Sequence, residues 1–334
     1  MTEVPKNTAP KQQVGPTTDM TADAIAIQEL DEFRAQGWTK LIAPAKVNLY
    51  LAIGARRDDG YHDAATVMHT LNLHDVVYVR RNPEGGNAPV ARMVARGDVV
   101  VPDLASEDNI ACKAVNALAA KTGRLDDCAI EIRIEKNVPA QAGLGGGSSD
   151  AAAALVGAAQ LWGLDPSDPA IEQTAREIGA DVAFFLHGGC AYLEGTGGTF
   201  VHDLMPSKRS VALVKPEGGV STGAAYRTFD DDPQFASPEQ AALVAEAATA
   251  DAVPLYNNLA AASETLMPQL AEIRAWLEGL PGVEGALLCG SGSCTFAVCS
   301  DFASACHVVA QARERGLWAR TSSFGSARAI AINL

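Results

Sequence analysis

A chain of 334 residues has room for about two domains of ordinary size, and its 48% hydrophobic content is ample for buried cores. A formal net charge of −14 excludes a broad electrostatic footprint for nucleic acid, so an anionic ligand would be held by a few local cations and backbone N–H groups. No run of about 18 apolar residues occurs, so no membrane span is expected, and the opening MTEVPKNTAPKQQVGPTTDM lacks the apolar centre of a signal peptide, which points to the cytoplasm.

Residues 1–20, rich in Pro, Thr, Lys and Gln, read as a flexible tail, and Ile27, Leu30 and Phe33 predict a short helix over 21–36; together 1–38 form an N-terminal extension. From Thr39 the segment KLIAPAKVNLYLAIG reads as a strand, as do LHDVVYVRR (73–81) and one or two segments within 91–101. Asp108 is expected to cap a helix over 109–121. CAIEIRIEK (128–136) alternates, with Ile130, Ile132 and Ile134 on one face and Glu131, Arg133 and Glu135 on the other, as a half-buried strand does. Helices are expected over 149–162 and 168–178, a strand over 210–216, and helices over 237–249, 257–279 and 301–316. A strand is expected over 285–300, and RAIAINL closes the chain as another. Early strands follow one another without helices, which predicts an α+β fold rather than a doubly wound sheet. A boundary near 205–210 gives domains 39–207 and 208–334. Seven cysteines without a CxxC pair fit free thiols in a reducing compartment, and Cys289, Cys294 and Cys299 read as small buried residues rather than a metal cluster.

Between the 128–136 strand and the next helix lies GLGGGSSDAAAAL (143–155). Strand, glycine loop and helix is an arrangement that binds phosphate, because the first backbone N–H groups of a helix lack internal partners and the helix dipole favours anions there. Gly143, Gly145, Gly146 and Gly147 would let the main chain approach phosphate oxygens, and the Ser148 and Ser149 hydroxyls could cap the helix, bond phosphate or touch Mg²⁺. A tight strand-to-helix turn would need one or two glycines, not four. The loop is not a Walker A sequence, which ends in GK[ST], and Ser148 stands where a dinucleotide fingerprint needs glycine.

PAQAGLGGGSSDAA (139–152) resembles the glycine motif of the GHMP kinases, APAKVNLYL (43–51) their PxKxN strand, and LLCGSGSCTFAV (287–298) their second glycine turn. The three occur in the family's order, so the resemblance spans about residues 39–334. It implies a two-domain fold with a ribosomal-protein-S5-like N-terminal ATP-binding half and a ferredoxin-like C-terminal half. ARRDDGYH (55–62), followed by an expected threonine-containing helix and a strand ending near HD, is similar to the branch that phosphorylates the 2-hydroxyl of a cytidine diphospho-methylerythritol in non-mevalonate isoprenoid synthesis. IGADVAFFLHGGCAYLEGTGG (178–198) is similar to the same branch.

That resemblance implies ATP as phosphoryl donor and Mg²⁺ held mainly by ATP, and it singles out no residue as a metal ligand. It implies Lys46 and Asp181 as the catalytic pair, the aspartate taking the acceptor proton and the lysine stabilising charge. Asn109, Pro139, Ala140, Gln141, Ala142, Gly143, Leu144, Gly145, Gly146, Gly147, Ser148 and Ser149 would meet ATP. Asn48, on the same strand face as Lys46, would bond the acceptor, while Tyr61, His62, Thr222 and Tyr226 would form the cytidine side. Three positions depart from the family pattern: Ala183 replaces a common proline, Cys289 a serine and Tyr226 a frequent phenylalanine. The Ala183 change is expected to loosen the chain beside Asp181, and the Cys289 change leaves Ser291 and Ser293 as the hydroxyls of the second turn. Partners would be a small-molecule substrate, with no nucleic acid or membrane, in a monomer or homodimer. The competing readings are another kinase of the family, acting on homoserine or mevalonate, a non-catalytic sensor on the same fold, and a dinucleotide-dependent oxidoreductase.

Overall fold

The computed structural model describes residues 33 and 35–332, so the expected tail and most of the 21–36 helix lie outside the described residues. Residues 39–332 belong to one compact unit. Its frame is an antiparallel pair, β1 (Thr39–Arg56) and β2 (His62–Arg81), matched from Thr39 opposite Val79 to Arg56 opposite His62. The expected strand over 73–81 is therefore only the second half of β2, and the threonine-containing helix expected after DGYH is strand instead. Met68 and Leu71 are almost completely buried, as are Val67 and Thr66, and a strand covered on both faces loses the period-two signal that would have revealed it.

β3 (Val90–Ala95) is the only strand in the 91–101 region, and it pairs in parallel with β4 (Ile130–Lys136). α1 (Ile110–Thr122) starts one residue later than expected, because Asn109 rather than Asp108 accepts the Ala111 N–H as cap. α2 (Gly146–Leu161) begins three residues before the expected Ser149, so Gly146, Gly147 and Ser148 are its first turn. α3 (Pro169–Ile178), capped by Asp168, follows as expected, whereas α4 (Ala180–His187) and the hairpin β5 (Cys190–Glu194) and β6 (Thr199–Asp203) had no clear pattern in the sequence.

The large sheet runs β12-β1-β2-β4-β3, with β5 and β6 extending from β2. Helices α1 to α4 cover one face, where Leu41, Val79, Ile130, Ile132 and Ile134 pack with Leu118, Leu155, Phe184 and Phe185. Burying each such side chain contributes about 1.5–3 kcal/mol. The alanine run of α2 has its role here. Ala151 to Ala154 are fully buried, and a Cβ at Gly157 would stand 2.8 Å from Val79 Cγ2, so only small residues let the helix lie this close to the sheet.

β7 (Ser210–Lys215) opens a second sheet, followed by α5 (Thr222–Asp231) and α6 (Pro238–Ala245). The single helix expected over 257–279 is broken into β8 (Tyr256–Asn257), α7 (Ala260–Leu266) and α8 (Gln269–Glu278). Pro268 causes the break, since it disfavours helical backbone at Met267, which sits at φ −141° and ψ 83°. The strand expected over 285–300 is a hairpin, β9 (Val283–Leu288) and β10 (Thr295–Cys299), turning at 289–294. α9 (Phe302–Glu314), β11 (Trp318–Ser323) and β12 (Ile330–Ala331) complete the chain, and β12 pairs with β1.

The second sheet runs β11-β7-β10-β9, all antiparallel, with α8 and α9 packed on one face, a ferredoxin-like βαββαβ plan. Its other face meets the large sheet: Val47 and Leu49 of β1 pack with Val211, Leu213, Phe296 and Val298. Side chains alternate along β1, so this contact turns Lys46 and Asn48 to the opposite face.

Candidate functional site

Lys46 and Asn48 are nearly buried, and Lys46 Nζ donates to Asn48 Oδ1 at 2.7 Å. Asn48 Nδ2 donates to Thr66 Oγ1 at 2.8 Å, and that hydroxyl donates to the Tyr50 carbonyl at 2.7 Å. The relay therefore ends on backbone that cannot move without breaking the sheet. At its other end Lys46 Nζ lies 3.5 Å from Asp181 Oδ2. Asp181 is one-third exposed in the first turn of α4. Ala183 does not loosen this turn: its N–H donates to Gly179 O at 3.3 Å, a bond that proline could not make.

The glycine loop is pressed against this floor. The Lys46 N–H donates to Leu144 O at 3.0 Å, while Ser293 and Cys294 N–H donate to Gln141 and Ala142 carbonyls at 3.1 Å. A Cβ at Gly143 would fall 1.8 Å from Cys289 O, and one at Gly145 would fall 2.8 Å from the Phe185 ring and 3.0 Å from Lys46 Cγ. Both residues also have positive φ, 74° and 71°. At Gly146 a Cβ would meet Val138 Cγ1 at 3.0 Å. Three of the four glycines thus answer to the fold itself. Gly147 does not, because its Cβ would meet only Ile110 Cγ2, at an ordinary 3.7 Å.

Ser149 N–H is spent on Gly145 O at 2.9 Å, and no side chain caps the helix. The N–H groups of Gly145, Gly146, Gly147 and Ser148 are the ones a helix start leaves open. They face a cavity of about 340 Å³ lined by Asn109, Lys136, Pro139 to Ser148 and Asp150. Every residue expected to meet ATP lines it except Ser149, whose fully buried hydroxyl makes no hydrogen bond among the described residues. The Asn109 carbonyl oxygen is taken by its capping bond, which leaves the side-chain amide N–H groups for a ligand.

A second cavity, of about 230 Å³, adjoins the first and shares Gly143 and Gly145 with it. Lys46, Asn48, Asp181, Thr222 and Tyr226 line it, together with Thr66 and Ser291. Thr222 Oγ1 and Ser291 Oγ are 2.9 Å apart, tying α5 to the second glycine turn. Ser293, by contrast, is fully buried and donates to Gly218 O at 3.0 Å, so of the two turn hydroxyls only Ser291 reaches the cavity. Cys289 is buried opposite Cys294, and burial holds its thiol well above the usual range. Burial, followed by the Asp181 charge, raises the Tyr226 phenol.

Two expected residues lie outside this cavity. Tyr61 is 67% exposed on the β1–β2 turn and lines neither cavity. His62 is buried behind Tyr226, with ring centroids 5.1 Å apart, and its Nε2 lies 2.6 Å from Asp230 Oδ1.

Sequence reasoning missed Thr66, Asp230 and a buried triad beside the loop. Lys136 Nζ bonds Asp75 Oδ2 and, at 2.6 Å, Asp150 Oδ2. Asp75 Oδ1 also accepts from Asn137 and Val138 N–H, which fixes the end of β4 where the loop begins. Burial opposes the Lys136 charge, but Asp150 and Asp75 outweigh it and raise its pKa. Burial also pushes Asp150 up, with Lys136 working against the rise. A lysine at the end of an alternating strand was the only sequence signal for this triad.

Residues 109–189 match the GHMP kinases N terminal domain, and residues 237–316 match the GHMP kinases C terminal domain. The chain is 37% identical over 280 residues to the 4-diphosphocytidyl-2-C-methyl-D-erythritol kinase of Desulfitobacterium hafniense, covering 83% of this chain and 92% of that protein. To the enzyme of the same name from Mycobacterium tuberculosis it is 36% identical over 284 residues, 82% of this chain and 86% of that one. A crystal structure of 4-(cytidine 5'-diphospho)-2C-methyl-D-erythritol kinase superposes with a TM-score of 0.65 at 30% identity, over 86% of this chain and all of that one. A homoserine kinase from Cytophaga hutchinsonii has the same TM-score of 0.65 at 20% identity, covering 89% of this chain and 98% of that one, a likeness of fold.

Proposed function

Because the chain belongs to the GHMP kinase family, in the branch of the 4-diphosphocytidyl-2-C-methyl-D-erythritol kinases, we propose that it moves the terminal phosphoryl group of ATP to the 2-hydroxyl of 4-diphosphocytidyl-2-C-methyl-D-erythritol. The observation that carries the proposal is adjacency. The open N–H groups of Gly145 to Ser148 line one cavity, the Lys46–Asp181 pair lines the next, and Gly143 and Gly145 form their common wall.

Phosphoryl transfer asks a protein mainly for positioning and charge neutralisation. The helix-start N–H groups would hold the phosphates of ATP, aimed toward the shared wall. Asn48 would bond the acceptor alcohol, and Asp181 would take its proton as the new O–P bond forms and the bond to ADP breaks. Lys46, fixed by Asn48, would stabilise the charge that develops between them. The products are ADP and the 2-phosphate of the acceptor. Tyr226 and Thr222 would border the cytidine side, with His62 behind Tyr226.

Magnesium, when bound, would neutralise phosphate charge. Among the described residues no group of three or more His, Cys, Asp or Glu could hold a metal ion, so phosphate oxygens and water would supply most of its ligands. The partly exposed Ser148 hydroxyl in the loop is a hard oxygen donor suited to complete the shell. No helix among the described residues is long and apolar enough to cross a membrane, and a cytoplasmic site of action fits the polar nucleotide substrates.

The test is ADP release with the cytidine diphospho-compound, mevalonate and homoserine offered separately. Turnover is expected with the first alone. Turnover only with another acceptor would overturn the substrate, and binding of both ligands without turnover would make the protein a sensor.

A further inference from the structure

β1 does not keep one alternation along its length. Lys46 stands opposite Thr70 and Asn48 opposite Met68, but Tyr50 stands opposite Val67 and Leu51 opposite Thr66, so Leu49 is an extra residue without a partner of its own. Such a β-bulge re-aims the side chains beyond it. Lys46 and Asn48 line the second cavity before the bulge and Leu51 lines it afterwards, while Val47, Leu49 and Tyr50 all turn to the core between the sheets. On β2, Thr66 and Met68 face the same cavity.

The Thr66 hydroxyl spans the bulge, donating to the Tyr50 carbonyl and lying 2.8 Å from Asn48 Nδ2. These contacts have a fixed direction. A carbonyl can only accept, so the single hydroxyl hydrogen is spent on Tyr50 and the oxygen turns a lone pair to Asn48. Only the NH₂ end of the amide can answer that lone pair. Oδ1 is thereby left for Lys46 Nζ, which can only donate. With the amide turned over, two lone pairs would oppose each other at Thr66 and two donors at Lys46. Thr66, Asn48 and Lys46 are 1%, 3% and 5% exposed, too buried for bulk water to replace a lost bond.

We infer that Thr66 is a positioning residue for phosphoryl transfer: its hydroxyl sets the direction of the Asn48 amide and, through it, the place of the Lys46 ammonium beside Asp181. The inference rests on the reading that Lys46 and Asp181 serve that reaction. Without the hydroxyl the amide is free to turn over, and the NH₂ it then presents drives the ammonium away from its place.

Three substitutions separate the hydroxyl from the shape. Thr66→Val keeps the branched form without the hydroxyl, Thr66→Ala lacks both, and Thr66→Ser keeps the hydroxyl alone. In ADP release with saturating ATP and 4-diphosphocytidyl-2-C-methyl-D-erythritol, the valine and alanine variants are expected to lower kcat about ten- to a hundredfold, as misplacement of a catalytic group does. Thr66→Ser should restore most of the rate. The acceptor KM and the calorimetric Kd for ATP should stay near wild-type values, since Thr66 lines the second cavity and not the one at the glycine loop. The ATP titration also shows that each variant is folded, and either hydroxyl-free variant serves if the other does not fold. A double-mutant cycle gives a second measure. Asn48→Ala has no amide to orient, so adding Thr66→Val to it should lower kcat no further. Wild-type kcat in the hydroxyl-free variants, a Thr66→Ser enzyme as slow as Thr66→Val, a loss carried by the acceptor KM, or losses that multiply in the cycle would each overturn the inference. A wild type without turnover, or a Lys46→Met enzyme as fast as the wild type, would instead remove the reading of the site, and the inference with it.

Discussion

Replacing Gly147 by alanine separates what the fold requires from what a ligand requires. The added Cβ has no close neighbour, only Ile110 Cγ2 at 3.7 Å, and Gly147 is not among the residues at positive φ. Alanine in a helix is favoured over glycine by about 0.5–1 kcal/mol, so the free protein should gain stability, with a melting temperature higher by about 1–3 °C. The same Cβ enters the wall of the loop cavity, beside an N–H expected to meet phosphate. Weakening one hydrogen bond to a charged group costs about 1.5–3 kcal/mol, which raises the Kd for ATP by roughly ten- to a hundredfold. Gly143→Ala should do the opposite to stability, since its Cβ would collide with Cys289 O at 1.8 Å. Thermal melts without nucleotide and calorimetric ATP titrations would read both effects. A Gly147→Ala protein that is more stable yet binds ATP as tightly as the wild type would refute the placement of phosphate at the start of α2.

Asp181→Asn should lower kcat by about 10²–10⁴-fold while ATP binding persists, and near-normal turnover would remove the aspartate from the proton transfer. Lys136→Met would leave Asp75 and Asp150 buried without their cation and should cost about 3–5 kcal/mol in urea unfolding, with partial recovery when Asp150→Asn is added. A loss below about 1 kcal/mol would show that the triad contributes little. His69 is fully buried, donates from Nδ1 to Thr70 O, and accepts the Ser207 N–H at Nε2, so it must be neutral in the fold; burial lowers its pKa to about 4, against the raising effects of the Thr70 bond and Asp251. The unfolded chain binds the extra proton between about pH 6.5 and 4, so this contribution, about 3 kcal/mol, is fully present above pH 6.5 and lost as pH falls through that window. Unfolding of His69→Gln should show a shallower loss of stability from pH 7 to 4.5 than the wild type, and an identical slope would exclude His69 as the cause.

Elements with one exposed face were legible in the sequence. β4 alternates because α1 and α2 cover only its isoleucine side, and α9 is framed by Asp301, whose side chain accepts the Ser304 N–H. Elements buried on both sides were not. The first half of β2 lies under β1 and β5 with helices or the second sheet on its faces, so its His, Thr and Ala residues carry no periodicity. α5 was invisible for a different reason: TGAAYRTFDD is short and polar, and only Ala225 and Phe229 are buried along it. Yet α5 delivers Thr222 and Tyr226 to the second cavity and Asp230 to His62 behind it, three residues spaced four apart and hence on one helix face.

For the site, a motif locates the residues that touch a ligand better than the residues that hold them in place. Lys46, Asn48 and Asp181 stood in recognisable strings, while Thr66, which anchors Asn48, and Asp230, which holds His62, lie 18 and 168 positions away from their partners. Nothing local in a sequence records a pairing across such distances, because the register of β1 against β2 and the approach of α5 to the β1–β2 turn create it. The glycine loop shows the converse limit. Four glycines looked like one signal for phosphate, but Gly143, Gly145 and Gly146 are already required by Cys289, Phe185 and Val138. The weight of that signal rests on Gly147 and on the helix start that leaves four N–H groups open, a feature that only the position of the first helical turn could reveal.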